Sequence, residues 1–150
     1  GFNLWQWNCR GFQHKKAPLR QLIKSSGARP KVIMLQETLA DEVKLTGYKT
    51  ICRGKETGRG LATLIDKKLP YIEHDINLRH SRIECILVEI ILKRNRGKAQ
   101  SIFCLNIYSS PNDMRQSFRT LFNKALSFAK TAPLIIGGDF NASYHTWGYS

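Results

Sequence analysis

Two polar residues near the end of the chain follow an apolar run at a spacing that suits catalysis. Residues 134–138 (LIIGG) precede Asp139 and Asn141. A short apolar run closed by glycine is typical of a buried strand that ends in a loop. An aspartate held there can take a proton or bind a cation, and an asparagine amide can donate to an anionic oxygen. The same residue types are also the commonest in tight turns, so this stretch alone leaves a turn equally open.

Polar residues follow other predicted strands in the same way. A strand predicted at 2–7 is followed by Asn8, the apolar run 32–35 leads to Glu37, and Tyr108 closes a strand predicted at 102–108. A carboxylate at the end of a buried strand is costly to desolvate without a partner such as a cation, whereas a Glu already in solvent needs none. These side chains converge if their strands are neighbours, an adjacency that the sequence alone does not establish. The residues concerned are Asn8, Glu37, Tyr108, Asp139 and Asn141.

The rest of the pattern predicts many strands and few helices. Helical spacing of apolar residues predicts a helix at 15–26 with Pro18 in its first turn, and a second helix at 114–130. The second helix carries a stripe that we assign to the core: Phe118, Leu121, Phe122, Ala125, Leu126 and Ala129. Further strands are predicted at 48–53, 61–65, 71–78 and 83–92, and a basic hairpin turn at 93–98. His74 and His80 have no companion at ligand spacing, so we interpret them as surface or edge residues.

Composition limits the class of protein. A chain of 150 residues suits one domain, and 24 Lys and Arg against 11 Asp and Glu give a net charge of +13. This excess favours a polyanionic partner, with nucleic acid ahead of a membrane surface, although a solvated basic surface without a partner stays open. No apolar run is long enough to span a bilayer. The basic residues that we expect to contact nucleic acid are Arg59, Arg94, Arg96 and Lys98.

Two other kinds of site are disfavoured. The loop at 54–60 (GKETGRG) is no phosphate-binding P-loop, because it lacks the Gly-Lys-Ser/Thr ending and no helix follows it. The four cysteines form no CxxC pair, which argues against zinc and favours a reduced intracellular protein.

Five motifs occur in the order used by the endonuclease/exonuclease/phosphatase superfamily, which the chain resembles along its whole length. They are residues 7–11 (WNCRG), 36–38 (QET), 58–62 (GRGLA), 106–111 (NIYSSP) and 137–142 (GGDFNA). Trp147-Gly148, just after the last motif, is most similar to the endonuclease domain of non-LTR retrotransposons, relatives of the apurinic/apyrimidinic endonucleases.

The resemblance implies an α/β (α+β) fold: a four-layered sandwich of two packed mixed β-sheets flanked by helices. Residues 1–150 would form the N-terminal and central part of this domain, with the last strands missing. It also implies Mg²⁺-dependent nicking of chromosomal DNA in the nucleus, with Mn²⁺ as an alternative ion. The partners implied are DNA and the rest of a polyprotein that carries a reverse transcriptase, and no membrane.

The resemblance also assigns roles to single residues. Glu37 would bind the metal, with Asn8 close to the metal and to the attacking water. Tyr108 would contact the scissile phosphate and Asn141 would hydrogen-bond to it, while Asp139 would align or deprotonate the water.

The chain departs from the family pattern in two places. Ser143-Tyr144 precede His145 where relatives often place His directly, and the closing Ser-Asp-His motif is absent. His145 does not match the position of that motif, so we expect residues 1–150 alone to show little nuclease activity. Two alternatives stay open: a catalytically silent nucleic-acid-binding remnant, and a phosphatase of the same superfamily. The charge and Trp147-Gly148 argue against the phosphatase.

Overall fold

The structure is a computed structural model, and it describes residues 2–54, 59–78, 83–109 and 115–139. His80, Asn141, His145 and Trp147-Gly148, which the sequence analysis discusses, lie outside the described residues.

The first sheet has four strands in the order β1-β2-β4-β3. Its strands are β1 (Leu4–Asn8), β2 (Val32–Gln36), β3 (Tyr48–Arg53) and β4 (Leu61–Asp66). β1 pairs with β2 in parallel, because the helix α1 (Phe12–Ser25) carries the chain back to the same end. β4 runs antiparallel to both of its neighbours, so the sheet is mixed.

The second sheet also has four strands, in the order β5-β6-β7-β8. Its strands are β5 (Tyr71–His74), β6 (Glu84–Asn95), β7 (Lys98–Tyr108) and β8 (Leu134–Asp139). β6 and β7 form a long antiparallel hairpin. β8 returns through the helix α2 (Arg115–Ala129) to lie parallel to β7, so this sheet is mixed as well.

Three apolar layers hold the elements together in the predicted order of helix, sheet, sheet and helix. α1 packs on the outer face of the first sheet through Phe12 and Leu19. The inner faces of the two sheets meet around Met34, Val88 and Cys104. α2 covers the outer face of the second sheet. The α/β sandwich expected from the resemblance is therefore confirmed.

Several details differ from the sequence prediction. α1 begins at Phe12 rather than at residue 15, which places Pro18 inside the helix instead of in its first turn. Leu126, assigned to the core, is 53% exposed because it points away from the sheet that α2 covers. The β6–β7 hairpin extends almost to its tip at Arg96-Gly97, so most of the predicted turn at 93–98 belongs to strands. Neither described helix has the length and apolarity needed to cross a bilayer.

Candidate active site

The parallel strands β1 and β2 end side by side, and this places Asn8 beside the residue before Glu37. Asn8 and Gln36 are paired across the two strands. The chain beyond β2 is held from both sides by backbone hydrogen bonds. Gly11 N donates to Glu37 O at 2.8 Å, and Thr38 N donates to Gly60 O at 3.2 Å. The backbone of Glu37 is therefore fixed by both neighbouring segments.

The backbone around Glu37 adopts conformations that L-residues rarely take. Arg10, Glu37 and Leu39 have φ angles of 47°, 53° and 49°. Each such residue costs of order 1–3 kcal/mol and persists only when its surroundings enforce it. Non-glycine residues of this kind cluster at functional sites, so the conformation supports a site at the ends of β1 and β2.

The Glu37 carboxylate is largely shielded, with a side chain 12% exposed, and it faces the Arg59 guanidinium. Arg59 Nη1 lies 3.3 Å from Glu37 Oε1, while the Arg59 side chain is 64% exposed. The loop that carries Arg59 is anchored because Leu39 N donates to Arg59 O at 2.9 Å. The guanidinium can therefore leave the carboxylate without disturbing its own backbone.

A buried pair of amides joins the two sheets next to this point. Gln36 Nε2 donates to Asn106 Oδ1 at 2.8 Å, and both residues are fully buried. Asn106 Nδ2 in turn donates to Ala62 O at 2.9 Å and to Thr63 Oγ1 at 3.2 Å. Glu37 lies one residue beyond this contact and Tyr108 lies two residues beyond it. The predicted metal-binding and phosphate-contacting residues are thus at the same end of the sandwich.

The second sheet places Tyr108 beside Asp139. These residues are paired across the parallel strands β7 and β8. Two glycines of the apolar run, Gly137 and Gly138, have close protein neighbours. A Cβ at Gly137 would lie 2.6 Å from Met34 Cε, and one at Gly138, whose φ is 145°, would overlap the Ile107 carbonyl. The two glycines therefore let β8 pack closely against β7 in its own sheet and against Met34 in the first sheet. Asp139 follows them at the end of β8.

Sequence reasoning gave no role to three residues that the structure places here. Gln36 and Asn106 were parts of motifs, and their pairing across 70 residues could not be read from either motif. Glu84 was only a polar exception in an apolar strand, yet it pairs with Tyr108 across the β6–β7 hairpin. Its carboxylate lies against Gly54, where a side chain would overlap it. The only available signal for Glu84 was an acid at the start of a buried strand.

The oxygen atoms near Glu37 fit a magnesium ion. Magnesium is usually bound through one or two carboxylates and keeps several waters. Glu37 offers one shielded carboxylate, and Gln36 Oε1 is a buried oxygen for which the described residues provide no hydrogen-bond partner. Within the described ranges, no group of three or more His, Cys, Asp or Glu forms a ready-made metal cluster. The fit therefore depends on the Glu37 carboxylate, with Gln36 Oε1 on the preceding residue as a second oxygen.

The four predicted nucleic-acid contacts do not lie together. Arg59 is at the candidate site, whereas Arg94, Arg96 and Lys98 belong to the tip of the β6–β7 hairpin. β7 has 11 residues between that tip and Tyr108. At about 3.3 Å per residue, its ends are roughly 33 Å apart. The hairpin residues are thus remote from Glu37 and Tyr108.

Comparison with known proteins agrees with this architecture. The sequence matches the Endonuclease/Exonuclease/phosphatase family over residues 5–150, and the chain belongs to this family. The suspected superfamily is therefore confirmed. None of the curated proteins matches the sequence.

Three solved structures illustrate the similarity of this fold to known proteins. Truncated TDP2 from Caenorhabditis elegans gives a TM-score of 0.67 at 20% identity, over 95% of this chain and 62% of that chain. The endonuclease domain of TRAS1, a telomere-specific non-LTR retrotransposon, gives 0.65 at 20% identity, over 99% and 63%. AP endonuclease LMAP from Leishmania major gives 0.54 at 16% identity, over 95% and 55%. The chain thus spans less than two-thirds of each of these structures.

Proposed function

We propose that this chain is part of a magnesium-dependent endonuclease domain of a non-LTR retrotransposon, which nicks DNA by hydrolysing a phosphodiester bond. The observation that carries the proposal is the meeting of the two sheets at one end. There, Glu37 and Tyr108 flank the buried Gln36–Asn106 contact. The net charge of +13 supports a polyanionic substrate.

The chemistry follows from the residue types. Bound magnesium would polarise a phosphoryl oxygen and neutralise developing negative charge. Glu37 would hold the ion, with the Asn8 amide beside it. Tyr108 would orient the scissile phosphate, and Asp139 would accept a proton from the attacking water. Asn141 would donate a hydrogen bond to the phosphate.

The proposal concerns the domain to which residues 1–150 contribute. Its substrate is chromosomal DNA in the nucleus, its metal is Mg²⁺ with Mn²⁺ as an alternative, and the polyprotein that carries it includes a reverse transcriptase. Residues 1–150 alone are expected to nick weakly, because groups that act as a unit in catalysis cannot be removed singly without large losses.

The test is nicking of supercoiled plasmid by residues 1–150, alone and joined to any sequence that continues the reading frame. Glu37→Gln should lower magnesium-supported nicking at least tenfold, since the carboxylate that holds the ion is lost. Glu42→Gln is the matched control, because Glu42 is 70% exposed and pairs only loosely, at 3.6 Å, with Lys44. Equal nicking by both variants at limiting magnesium would remove Glu37 from the site.

A catalytically silent nucleic-acid-binding protein is the second candidate, and the Arg59–Glu37 ion pair favours it. A guanidinium 3.3 Å from the carboxylate competes with a metal ion for the same oxygen atoms. DNA binding without magnesium-dependent nicking, in the longest protein tested, would support this candidate. Hydrolysis of phospholipid or nucleotide phosphates in place of DNA would instead indicate a phosphatase.

A further inference from the structure

The end of the sandwich opposite the candidate site is strongly basic. We call it the basic pole and define it as residues 28–31, 66–71 and 93–98. The first segment precedes β2, the second runs from the last residue of β4 to the first of β5, and the third forms the tip of the β6–β7 hairpin. Glu37 and Tyr108 lie at the other ends of the same sheets. The length of β7 puts roughly 33 Å between the two ends.

Basic residues are concentrated in these three segments. They contain eight of the chain's 24 Lys and Arg residues and a single acid, Asp66. Asp66 is already engaged, because its Oδ2 lies 3.6 Å from Arg29 Nε and its Oδ1 accepts a hydrogen bond of 3.0 Å from Lys68 N. Apart from Asp66, the three segments contain no acid that could neutralise the other seven basic residues. They are Lys31, Lys67, Lys68, Lys93, Arg94, Arg96 and Lys98.

Backbone contacts hold the tips of the pole in fixed positions. Lys67 N donates to Gly47 O at 3.0 Å, and Leu69 N donates to Asp66 O at 2.9 Å. The hairpin turns through Arg96 and Gly97, whose φ angles are 53° and 78°. Lys67, Lys68 and Arg96 are exposed. Because their backbone is already ordered, less entropy is lost when a ligand binds there.

We propose that the basic pole is a second nucleic-acid-binding surface, which holds a phosphate backbone separate from the one at the candidate site. Polyphosphate chains attract clustered Lys and Arg through counterion release. In the described residues of the pole, no large apolar side chain is exposed, and exposed apolar side chains next to it are limited to Ile72 and Leu92, whereas membrane-binding surfaces insert a cluster of such side chains. Nucleic acid is therefore the better match.

The position of the pole adds a consequence. The pole and the candidate site face opposite directions at the two ends of the strands, so one straight duplex cannot contact both. The protein therefore bridges two nucleic-acid segments. This inference depends on the proposed function only for the segment at the candidate site, since the pole itself needs no catalysis.

Three proteins test the inference: wild type, the pole variant K67Q/K68Q/R96Q, and a control, R20Q/K44Q/R119Q. The control removes the same charge from exposed positions outside the three pole segments. Affinity for a short mixed-sequence duplex is measured by fluorescence anisotropy over a series of salt concentrations. Bridging is measured by energy transfer between two differently labelled duplexes.

The pole variant should lose about tenfold more affinity than the control, and the slope of log affinity against log salt should become shallower by about two units. Wild type and control should bring the two duplexes together, and the pole variant should not. Equal losses in the two variants would overturn the inference, because net charge alone would then explain binding. Sedimentation of wild type with phosphatidylserine vesicles, without duplex bridging, would also overturn it.

Nicking of plasmid by the wild type, measured in parallel, separates this inference from the proposed function. Bridging without nicking, in the longest protein tested, would contradict the endonuclease and leave the pole assigned to nucleic acid. If the wild type nicks plasmid and the pole and control variants bind DNA equally, the proposed endonuclease function stands and the proposed second binding surface is contradicted.

Discussion

Gln36 and Asn106 lie 70 residues apart in sequence, and their side chains join the two sheets through a hydrogen bond of 2.8 Å from Gln36 Nε2 to Asn106 Oδ1. Asn106 also donates to the first sheet at Ala62 O. The contact lies between the segment that leads to Glu37 and the strand that ends at Tyr108. It therefore fixes how far apart the two halves of the candidate site lie.

Asn106→Leu should destabilise the fold by about 3 kcal/mol, because it leaves the buried Gln36 amide without its acceptor and removes several hydrogen bonds. Adding Gln36→Leu should recover part of this loss, since replacing both partners by apolar groups avoids an unpaired polar atom. Urea unfolding measures both changes. Asn123→Leu, at an exposed position of α2, is the control and should change stability by about 0.5 kcal/mol or less. If Asn106→Leu alone is no less stable than the Asn123→Leu control, the amide pair contributes little to stability.

Gly138→Ala should cost about 2 kcal/mol or more, because a Cβ there overlaps the Ile107 carbonyl and the φ of 145° disfavours alanine. Gly27→Ala is the matched control, since a Cβ at Gly27 meets no atom within 4 Å. Thermal unfolding of the two variants tests the comparison. If both have the wild-type melting temperature, β8 does not need a glycine to reach β7.

Arg59→Ala should raise the affinity for magnesium in the absence of DNA, because it removes the cation that faces Glu37 Oε1. Exposed ion pairs contribute about 0.2–1 kcal/mol, so the affinity should rise by up to roughly fivefold. Titration calorimetry provides the measurement. Arg20→Ala controls for the change in net charge, and an equal effect of the two substitutions would mean that Arg59 does not compete with the metal.

Glu89 should make stability depend on pH in the acid range. The hydrogen bond from Ser101 Oγ at 2.6 Å, together with His74 Nε2 at 2.9 Å, lowers the pKa of Glu89 below its usual value, against the opposing effect of burial. Since the folded pKa is depressed, the stabilisation is present above the unfolded pKa, near 4.5, and is lost as pH falls through the folded value.

Ser101→Ala removes the main cause of that shift. It should cost about 1–2 kcal/mol at neutral pH and less once Glu89 is protonated. Unfolding free energies of wild type and variant across the acid range test this expectation. A difference between the two proteins that stays constant with pH would mean that Ser101 does not stabilise the ionised carboxylate.

The strands that position the site could be read from the sequence because each is a short apolar run with an obvious end. Val32–Gln36 is buried at every position, and the polar residues after it follow directly. The motif order identified the superfamily, and with it the two packed sheets. The Gln36–Asn106 contact could not be foreseen, because it depends on which strand faces which across the sandwich. The start of α1 was placed late because the preference for Pro in a first turn outweighed Phe12, which packs on the first sheet.

The central claim is that the strand ends of the two sheets form one catalytic site, and a double-mutant cycle on nicking tests it most directly. Glu37→Gln and Tyr108→Phe are measured singly and together, in the longest protein that shows magnesium-dependent nicking. Residues that act as a unit give losses that do not add. We predict that each single variant loses at least tenfold in kcat and that the double variant is little worse than either. Losses that multiply, or a Tyr108→Phe variant with wild-type kcat, would contradict a shared site.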